Sequence, residues 1–172
     1  MAPGIEWLAM PEEWGDPPET GHTFEANALQ KARFVFERSG EFALADDSGL
    51  SVDALGGRPG VFSKRYSEEG TDEANNRKLL GELLQVAART ARYHCVIALV
   101  GPEVSLTCAG TCEGRIGHQP QGSGGFGYDP LFWPVEIPGR TMAQLSPQEK
   151  DAISHRGKAM AGLPGLLRKA GL

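Results

Sequence analysis

Two adjacent carboxylates, Asp46 and Asp47, follow a short apolar run and precede Ser-Gly in "ALADDSGL". One interpretation is a solvated turn, because Asp, Ser and Gly are common turn residues. The other is a metal–phosphate site, because Mg²⁺ takes one or two carboxylates together with water and phosphate oxygens. Successive side chains of a strand point to opposite faces. We therefore expect one aspartate to face a ligand while the other caps the turn or holds a nearby Lys or Arg.

A glycine-rich loop, "GSGGFGYDP" at 122–130, is the second candidate. Its glycines match G-x-G-x-x-G, but a dinucleotide fingerprint follows a strand and opens a helix. Here an aromatic, strand-like run follows, so we reject that interpretation. The loop instead predicts a close backbone approach to a ligand, with Phe126 and Tyr128 presenting rings beside Asp129. A ring can stack on a purine and a carboxylate can accept its N–H groups, although a hairpin with core aromatics remains an alternative.

The third candidate is "SHRG", Ser154–Gly157, with Lys150 just before it. If this segment is one helix, Lys150 and Ser154 share a face, and His155 and Arg156 project one and two steps round it. Lys, His and Arg are hydrogen-bond donors, which suit a carbonyl oxygen or a phosphate and not an amino group. A lone His-Arg pair is usually solvated surface, so this motif gains weight only beside the other two.

Hydrophobic spacing and capping residues predict the first elements that position these side chains. A helix is predicted from a Thr23 cap to Ser39, with Gly40 as its stop, because apolar residues recur at helical spacing. "EFALAD" predicts a short buried strand that ends at Asp46. "TDEANNRKLLGELL" predicts a second helix, capped by Thr71 or Asp72.

The second half of the chain predicts a hairpin, another strand and a final helical region. "ARYHCVIALVG" and "EVSLTCAGTCEGRIG" are β-rich runs on either side of a Gly-Pro turn, and "DPLFWPV" is strand-like. Ser146 and Glu149 form a capping box with Pro147 in the first turn, and Pro164 is expected to break or kink the last helix. The predicted class is α/β with a mixed central sheet flanked by helices.

Bulk composition restricts the class of protein. The chain has 172 residues and a formal net charge of -5, which argues for one domain and against a protein that coats nucleic acid. The longest apolar run, Cys95–Val100, is too short to span a bilayer, and the first residues lack the pattern of a signal peptide. Three cysteines, an odd number, predict reduced core thiols in a cytoplasmic protein: Cys95, Cys108 and Cys112.

Four ordered blocks together resemble the inosine triphosphate pyrophosphatase family. They are "ETGHTFEANALQKA", "ADDSGLSVDALGGRPGVFSKRY", "GSGGFGYDP" and "SHRG", and the similarity runs from roughly Pro3 to the C-terminus. Members of that family hydrolyse ITP, dITP and XTP to the monophosphate and pyrophosphate with Mg²⁺. The resemblance implies a single domain over 1–172, elongated and two-lobed, with the nucleotide in a cleft between the lobes. It also implies a homodimer. The expected ligand is a small nucleoside triphosphate, and neither a nucleic acid polymer nor a membrane is an expected partner.

The resemblance also implies roles for the residues around the triphosphate. Asp47 is expected to bind the metal and act as the general base that orients water onto the α-phosphorus. Glu19 is expected to be the second carboxylate at the metal. Lys31 is expected to contact the triphosphate, and Ser48 to line the same site.

The remaining matches imply nucleoside contacts. The residues expected to bind the nucleoside are Phe126, Gly127, Tyr128, Asp129, Lys150, His155 and Arg156, with Phe126 as the stacking ring. Hypoxanthine and xanthine carry a C6 carbonyl that accepts from His155 or Arg156, whereas adenine carries an amino group there. A buried donor facing that amino group would cost on the order of 1–3 kcal/mol, about tenfold to a hundredfold in affinity. Guanine keeps this carbonyl, so the contact does not predict rejection of GTP.

The sequence departs from the family at its start. Members begin with a strand and a loop of the form [ST]-x-N-x-x-K that holds the triphosphate, but the 18 residues before Glu19 contain no Ser, Thr, Asn or Lys. Ala26 also stands where many members have a second acidic residue. We therefore expect an N-terminally shortened chain, which is either an active pyrophosphatase or a catalytically impaired nucleotide-binding relative. A related enzyme for modified pyrimidines is a third reading, against which "SHRG" and "FGYDP" speak.

Overall fold

The computed structural model describes residues 4–172, and the first three residues of the predicted domain lie outside this range. It contains four α-helices, four β-strands and four short 3-10 turns in the described part. In chain order the helices and strands are α1 (Phe24–Ser39), β1 (Ala43–Val52), α2 (Asp72–Glu82), β2 (Thr90–Gly101), β3 (Val104–Ile116), β4 (Phe132–Pro134), α3 (Pro147–Ile153) and α4 (His155–Ala170).

Both predicted ends of α1 and the predicted start of α3 are confirmed, because each has the side chain or backbone conformation that its cap requires. Thr23 caps α1 by accepting from the main-chain N–H of Ala26 at 3.1 Å, and Gly40 ends it in the left-handed region at φ 73°. Ser146 and Glu149 form the predicted capping box of α3. The caps therefore locate both helices from local sequence alone.

The prediction that the first strand ends at Asp46 is wrong. β1 continues to Val52 and pairs with β2 along its whole length, with Asp46 opposite Ile97 and Asp47 opposite Val96. The ladder of hydrogen bonds from β2 holds this polar stretch extended, so tertiary pairing overrides the turn preference of Asp-Ser-Gly. The two aspartates thus lie in mid-strand and not in a turn.

The sheet has the order β1-β2-β3-β4, and every neighbouring pair is antiparallel. The α/β class is confirmed, whereas the mixed sheet is wrong for the described residues. β2 and β3 form the predicted hairpin, and the connection from β1 through α2 returns the chain so that β2 runs against β1. This order leaves β1 and β4 as the edges.

Helices cover both faces of the long strands: α1 packs on one face against β1 and β2, and α4 packs on the other against β2 and β3. The core is divided along the strands. At one end it contains Leu50, Val52, Leu79, Ile116 and Phe132. At the other end, Ala28 and Ala32 of α1 pack with Ala98 and Val100 of β2. On the α4 side of that end, Leu163 and Leu167 of α4 pack with Leu99 of β2. This division is consistent with the predicted single domain of two lobes.

The last helical region differs from the prediction in two ways. It is two helices, because Ser154 ends α3 and caps α4, so Lys150 and Ser154 do not share a face of one helix. Pro164 lies inside α4 without ending it. A proline in a helix interior costs about 3 kcal/mol, and here the burial of Leu163 and Leu167 on the sheet retains the helix.

The cysteines agree with the predicted thiols: Cys95 and Cys112 are buried, Cys108 is partly buried, and all three are free. Burial raises the pKa of Cys112 to about 11, which keeps this thiol protonated at neutral pH. Among residues 4–172, no helix has both the length and the apolar character needed to cross a bilayer.

Candidate active site

The α1 side of the sheet gathers three of the predicted site residues around one ammonium group. Lys31 Nζ lies 2.8 Å from Asp47 Oδ1 and 2.7 Å from Glu19 Oε1. The same nitrogen donates to the main-chain oxygen of Asp46 at 3.0 Å. Three oxygens therefore converge on one cation, which sits where β1, α1 and the segment before α1 meet.

Two further residues, which the sequence analysis missed, hold this group. Asn27 is fully buried and donates through Nδ2 to Asp47 Oδ2 at 3.2 Å. Arg65 pairs with Glu19 Oε2 at 3.1 Å. Asn27 and Lys31 are four residues apart on α1 and so share the face turned toward β1. That spacing was a signal in the sequence, whereas Arg65 lies inside the second block without a spacing that relates it to Glu19.

Burial and ion pairing act against each other on these carboxyl groups. Burial raises the pKa of Asp47, and the opposing effect of Lys31 and Asn27 does not cancel it. Burial also acts on Glu19, but hydrogen bonds from Lys31 and Arg65 outweigh it and lower the Glu19 pKa. The same two carboxylates raise the pKa of Lys31 despite its burial.

The position of Lys31 Nζ tests whether this site suits a metal ion. Its neighbours are two carboxylates and one carbonyl, which are the hard oxygen donors that Mg²⁺ prefers. Within the described residues, no three His, Cys, Asp or Glu side chains gather as a complete metal cage. A pair of carboxylates completed by water and phosphate oxygens is the usual arrangement for Mg²⁺, so Glu19 and Asp47 fit this ion.

A second group lies on the α4 side of the same strand. Arg156 Nη2 donates to Asp46 Oδ2 at 2.9 Å and lies 3.5 Å from Ser48 Oγ. Asp46 and Ser48 alternate with Asp47 along β1 and so point to the opposite face. The expectation that Ser48 lines the same site as Asp47 is therefore wrong for its side chain, which lies with Arg156.

His155 begins α4 and is buried between this group and the sheet. Its ring stacks on Tyr93, with 4.7 Å between centroids and 16° between planes. His155 Nδ1 is buried and has no hydrogen-bond partner among the described residues. Burial, with the positive charges of Arg156 and Lys150, lowers the pKa of His155 to about 4. The imidazole is therefore neutral at pH 7.

Asp129 organises the glycine-rich loop. Its carboxylate is almost fully buried and accepts from the main-chain N–H of Phe126 at 3.0 Å, from Tyr93 Oη at 3.3 Å and from Lys150 Nζ. The Phe126 ring is 60% exposed, and Lys150 Nζ lies 4.5 Å from its centroid. The ring predicted to stack on a base is thus accessible and has a cation beside it.

Tyr128 and Gly127 take structural roles in this loop. Tyr128 is buried and donates from Oη to the main-chain oxygen of Ser63 at 2.8 Å. The prediction that its ring is presented to a ligand is therefore wrong. The Gly127 N–H donates to Asp72 Oδ2 at 2.6 Å, and its carbonyl accepts from Asn76 Nδ2 at 2.9 Å. α2 therefore clamps the loop through two residues, four apart on one helix face, that the sequence analysis missed.

Comparison with known proteins agrees with the motifs. Residues 3–165 match the Ham1 family. The chain belongs to this family. It is 51% identical over 152 residues to a dITP/XTP pyrophosphatase from Halalkalibacterium halodurans, covering 86% of this chain and 78% of the relative. It is 49% identical over 153 residues to a dITP/XTP pyrophosphatase from Bacillus subtilis, covering 87% of this chain and 77% of the relative.

Two solved structures of Ham1 proteins have the same fold. One, from Staphylococcus aureus, superposes with a TM-score of 0.85 at 43% identity and covers 90% of this chain and 81% of its own. The other, from Coxiella burnetii, has a TM-score of 0.86 at 45% identity, with 91% and 82% covered. The resemblance that the four sequence blocks indicated is confirmed.

In this Ham1 family member the predicted site residues fall into two groups that meet on β1. The carboxylate group contains Glu19, Lys31 and Asp47 on the α1 side. The second group lies on the α4 side and in the loop, and we call it the nucleoside group because all its members except Ser48 are expected to contact the nucleoside: Ser48, Phe126, Asp129, Lys150, His155 and Arg156. In the described chain the outer edge of β1 pairs only at Ser51, with Pro59.

Proposed function

We propose that this protein hydrolyses ITP, dITP and XTP to the nucleoside monophosphate and pyrophosphate, which removes non-standard purines from the nucleotide pool. Relatives named dITP/XTP pyrophosphatase, about half identical to this chain, support the substrate class. The structural observation that carries the proposal is the convergence of Asp47 and Glu19 on one cation position, 2.8 and 2.7 Å from Lys31 Nζ. Paired carboxylates that share a cation suit phosphoryl chemistry.

The reaction needs a base, a nucleophilic water and charge neutralisation. Asp47 accepts a proton from water, and the water oxygen attacks the α-phosphorus. The bond from that phosphorus to the oxygen that bridges to the β-phosphate then breaks, and pyrophosphate leaves. Lys31, already in contact with Asp47, donates hydrogen bonds to the phosphate oxygens on which negative charge accumulates.

Mg²⁺ is the proposed cofactor, and Glu19 and Asp47 are the residues that hold it. When bound, this ion supplies positive charge to the phosphoryl oxygens and lowers the pKa of a bound water. With the ion held by Glu19 and Asp47, Lys31 would pair with the triphosphate instead of with these carboxylates. Asn27 fixes Asp47 through Oδ2 and leaves Oδ1 directed at the cation position.

The nucleoside group explains the choice of base. Phe126 offers an exposed ring for stacking, while Lys150 and Asp129 stand beside it. His155 has a buried Nδ1 without a partner, which donates to the C6 carbonyl of hypoxanthine or xanthine in the tautomer that carries its proton there. Adenine places an amino group at that position and leaves the donor unpaired, which disfavours ATP.

We also propose, from the family resemblance, that the protein works as a homodimer in the cytoplasm. Light scattering coupled to size-exclusion chromatography tests the dimer directly. A mass of one chain, 18.4 kDa, at micromolar concentration would contradict it.

The decisive experiment measures pyrophosphate release from ITP, dITP, XTP, GTP and ATP with Mg²⁺. Asp47→Asn keeps the shape of the side chain and removes its charge. Asp53→Asn is the matched control, because Asp53 follows β1 directly and pairs with Arg92, away from the site. We expect hydrolysis of ITP, dITP and XTP well above ATP in the wild type and in Asp53→Asn, and none in Asp47→Asn. A folded wild type that binds ITP without turnover would instead identify the catalytically impaired relative.

A further inference from the structure

We infer that Tyr93 is a positioning residue that fixes His155 and Asp129 relative to each other and thereby sets the affinity for the purine base. This inference rests on the proposed function. It concerns a β2 residue outside the four blocks that carry the family resemblance, and no substrate contact is assigned to it.

Tyr93 sits on the most constrained element of the sheet. β2 pairs with β1 on one side and β3 on the other, and Tyr93 lies opposite Leu50 and Cys112 in the two registers. Its side chain is 6% exposed and packs on Phe132, with 4.5 Å between ring centroids. A side chain held by a central strand and by ring packing has few alternative rotamers. It is therefore a rigid reference point.

From that point Tyr93 contacts both parts of the nucleoside group. Its ring stacks on His155 of α4 at 4.7 Å, and its hydroxyl donates to Asp129 Oδ1 of the glycine-rich loop at 3.3 Å. Asp129 uses its other oxygen for the Phe126 N–H and for Lys150. One side chain thus connects the helix that carries the buried imidazole with the carboxylate that shapes the stacking loop.

This connection matters because the two parts come from different places in the chain. The loop follows β3, whereas His155 begins a helix after α3. A base must meet groups from both within hydrogen-bond distance, and small displacements of such groups lose affinity. Tyr93 removes that freedom through one stacking contact and one hydrogen bond.

Two substitutions separate these contacts. Tyr93→Phe keeps the ring on His155 and removes the hydroxyl from Asp129, and Tyr93→Leu removes both. Tyr66→Phe is the matched control, because Tyr66 is also buried and its hydroxyl donates to Glu82 at 2.6 Å, outside the site. The measurements are kcat and KM for ITP and XTP, the Kd for IMP by calorimetry, and the melting temperature.

We expect Tyr93→Phe to raise KM and the Kd for IMP about 2- to 10-fold, the range of one net hydrogen bond, with kcat within about twofold. Tyr93→Leu should raise both further, and Tyr66→Phe should change neither. The NMR signal of the His155 ring, assigned with His155→Gln, should keep its ring-current shift in Tyr93→Phe and lose it in Tyr93→Leu. Substitution of a purely structural tyrosine would not raise KM while leaving kcat nearly unchanged.

An active wild type with unchanged KM and Kd in Tyr93→Phe would overturn the inference and leave the proposed function intact. Equal losses of kcat and melting temperature in Tyr93→Phe and Tyr66→Phe would do the same, because they would mark Tyr93 as ordinary core. If the wild type neither hydrolyses nor binds ITP or IMP, the proposed function fails and the inference falls with it. If Tyr93→Leu does not fold, the KM and the Kd for IMP of Tyr93→Phe still test the inference.

Discussion

Asp46 and Asp47 are neighbours in the sequence, yet each pairs with a cation from a different helix on opposite faces of β1. Asp47 Oδ1 lies 2.8 Å from Lys31 of α1, and Asp46 Oδ2 lies 2.9 Å from Arg156 of α4. Both pairs exist only because β1 remains extended through the two aspartates, since a strand alternates its side chains. One dipeptide therefore joins the carboxylate group to the nucleoside group.

Asp46→Asn should weaken nucleotide binding more than it slows turnover. Arg156 would lose its charged partner and with it the fixed orientation toward the site. The pair is about half exposed, so the change in binding should be modest, about 2- to 5-fold in KM. Steady-state kinetics with ITP compare it with Asp47→Asn, which should instead abolish kcat. Equal kcat losses in the two variants would contradict separate roles on the two faces.

Lys31→Met should destabilise the apo protein and make its stability depend on Mg²⁺. Without the ammonium, Glu19 and Asp47 lose their shared partner, which should cost about 1–3 kcal/mol in the free energy of unfolding. A divalent ion can take the same oxygens and restore part of that loss. Thermal unfolding with and without MgCl₂ measures it. Arg140→Met, which breaks a more exposed pair with Glu149, is the control and should show no additional response to Mg²⁺. A Lys31→Met melting temperature that ignores Mg²⁺ would argue against the metal site.

Gly125→Ala should damage the base-binding loop. Gly125 has φ 74°, and an added Cβ would lie 2.1 Å from Asp129 Oδ2. Both the left-handed backbone, at about 1–2 kcal/mol, and the contact with Asp129 oppose the substitution. Gly139→Ala is the control, because Gly139 has φ 89° with nothing within 4 Å of the added carbon. Both variants should lose stability, but only Gly125→Ala should raise KM for ITP, by about tenfold or more. Equal KM values would show that Asp129 is free to move.

The buried imidazole of His155 should make the protein less stable in mild acid. Burial lowers the pKa of His155 to about 4, and the unfolded chain has the ordinary value near 6.5. The unfolded state binds more protons between these values, so stability is full above about pH 6.5 and falls as pH decreases toward 4. The titratable groups whose electrostatic interactions affect the pKa of His155 are Arg156, Lys150, Asp46 and His94.

His155→Gln isolates this contribution. Between pH 7.5 and 5.0 the wild type should lose about 2 kcal/mol more than the variant, from the two pKa values above. Urea unfolding at both pH values gives the change in unfolding free energy with pH for each protein. The comparison of these two changes does not depend on how much the substitution costs at pH 7.5. Parallel pH profiles would show that His155 is not buried in a neutral form.

Local signals in the sequence were sufficient for both ends of α1 and for the start of α3, but not for the division between α3 and α4. The Thr23 and Ser146 caps and the Gly40 stop act within one turn of their own residues, so they survive whatever surrounds them. The residue types of "DDSG", "FGYD" and "SHRG" likewise indicated carboxylate and nucleoside contacts, because donors, acceptors and rings keep their chemistry in any fold.

The directions of those side chains depend on strand pairing and packing. β2 keeps Asp46 and Asp47 extended, which sends Ser48 to the face opposite Asp47, and the core draws Tyr128 inward. Arg65 reaches the site from the far end of the second block, and Tyr93 from a segment outside all four blocks. Strand pairing and packing join residues far apart in the chain, and no property of a single short segment encodes such partners. The residue types establish which chemistry is present, and the packed sheet establishes which groups meet.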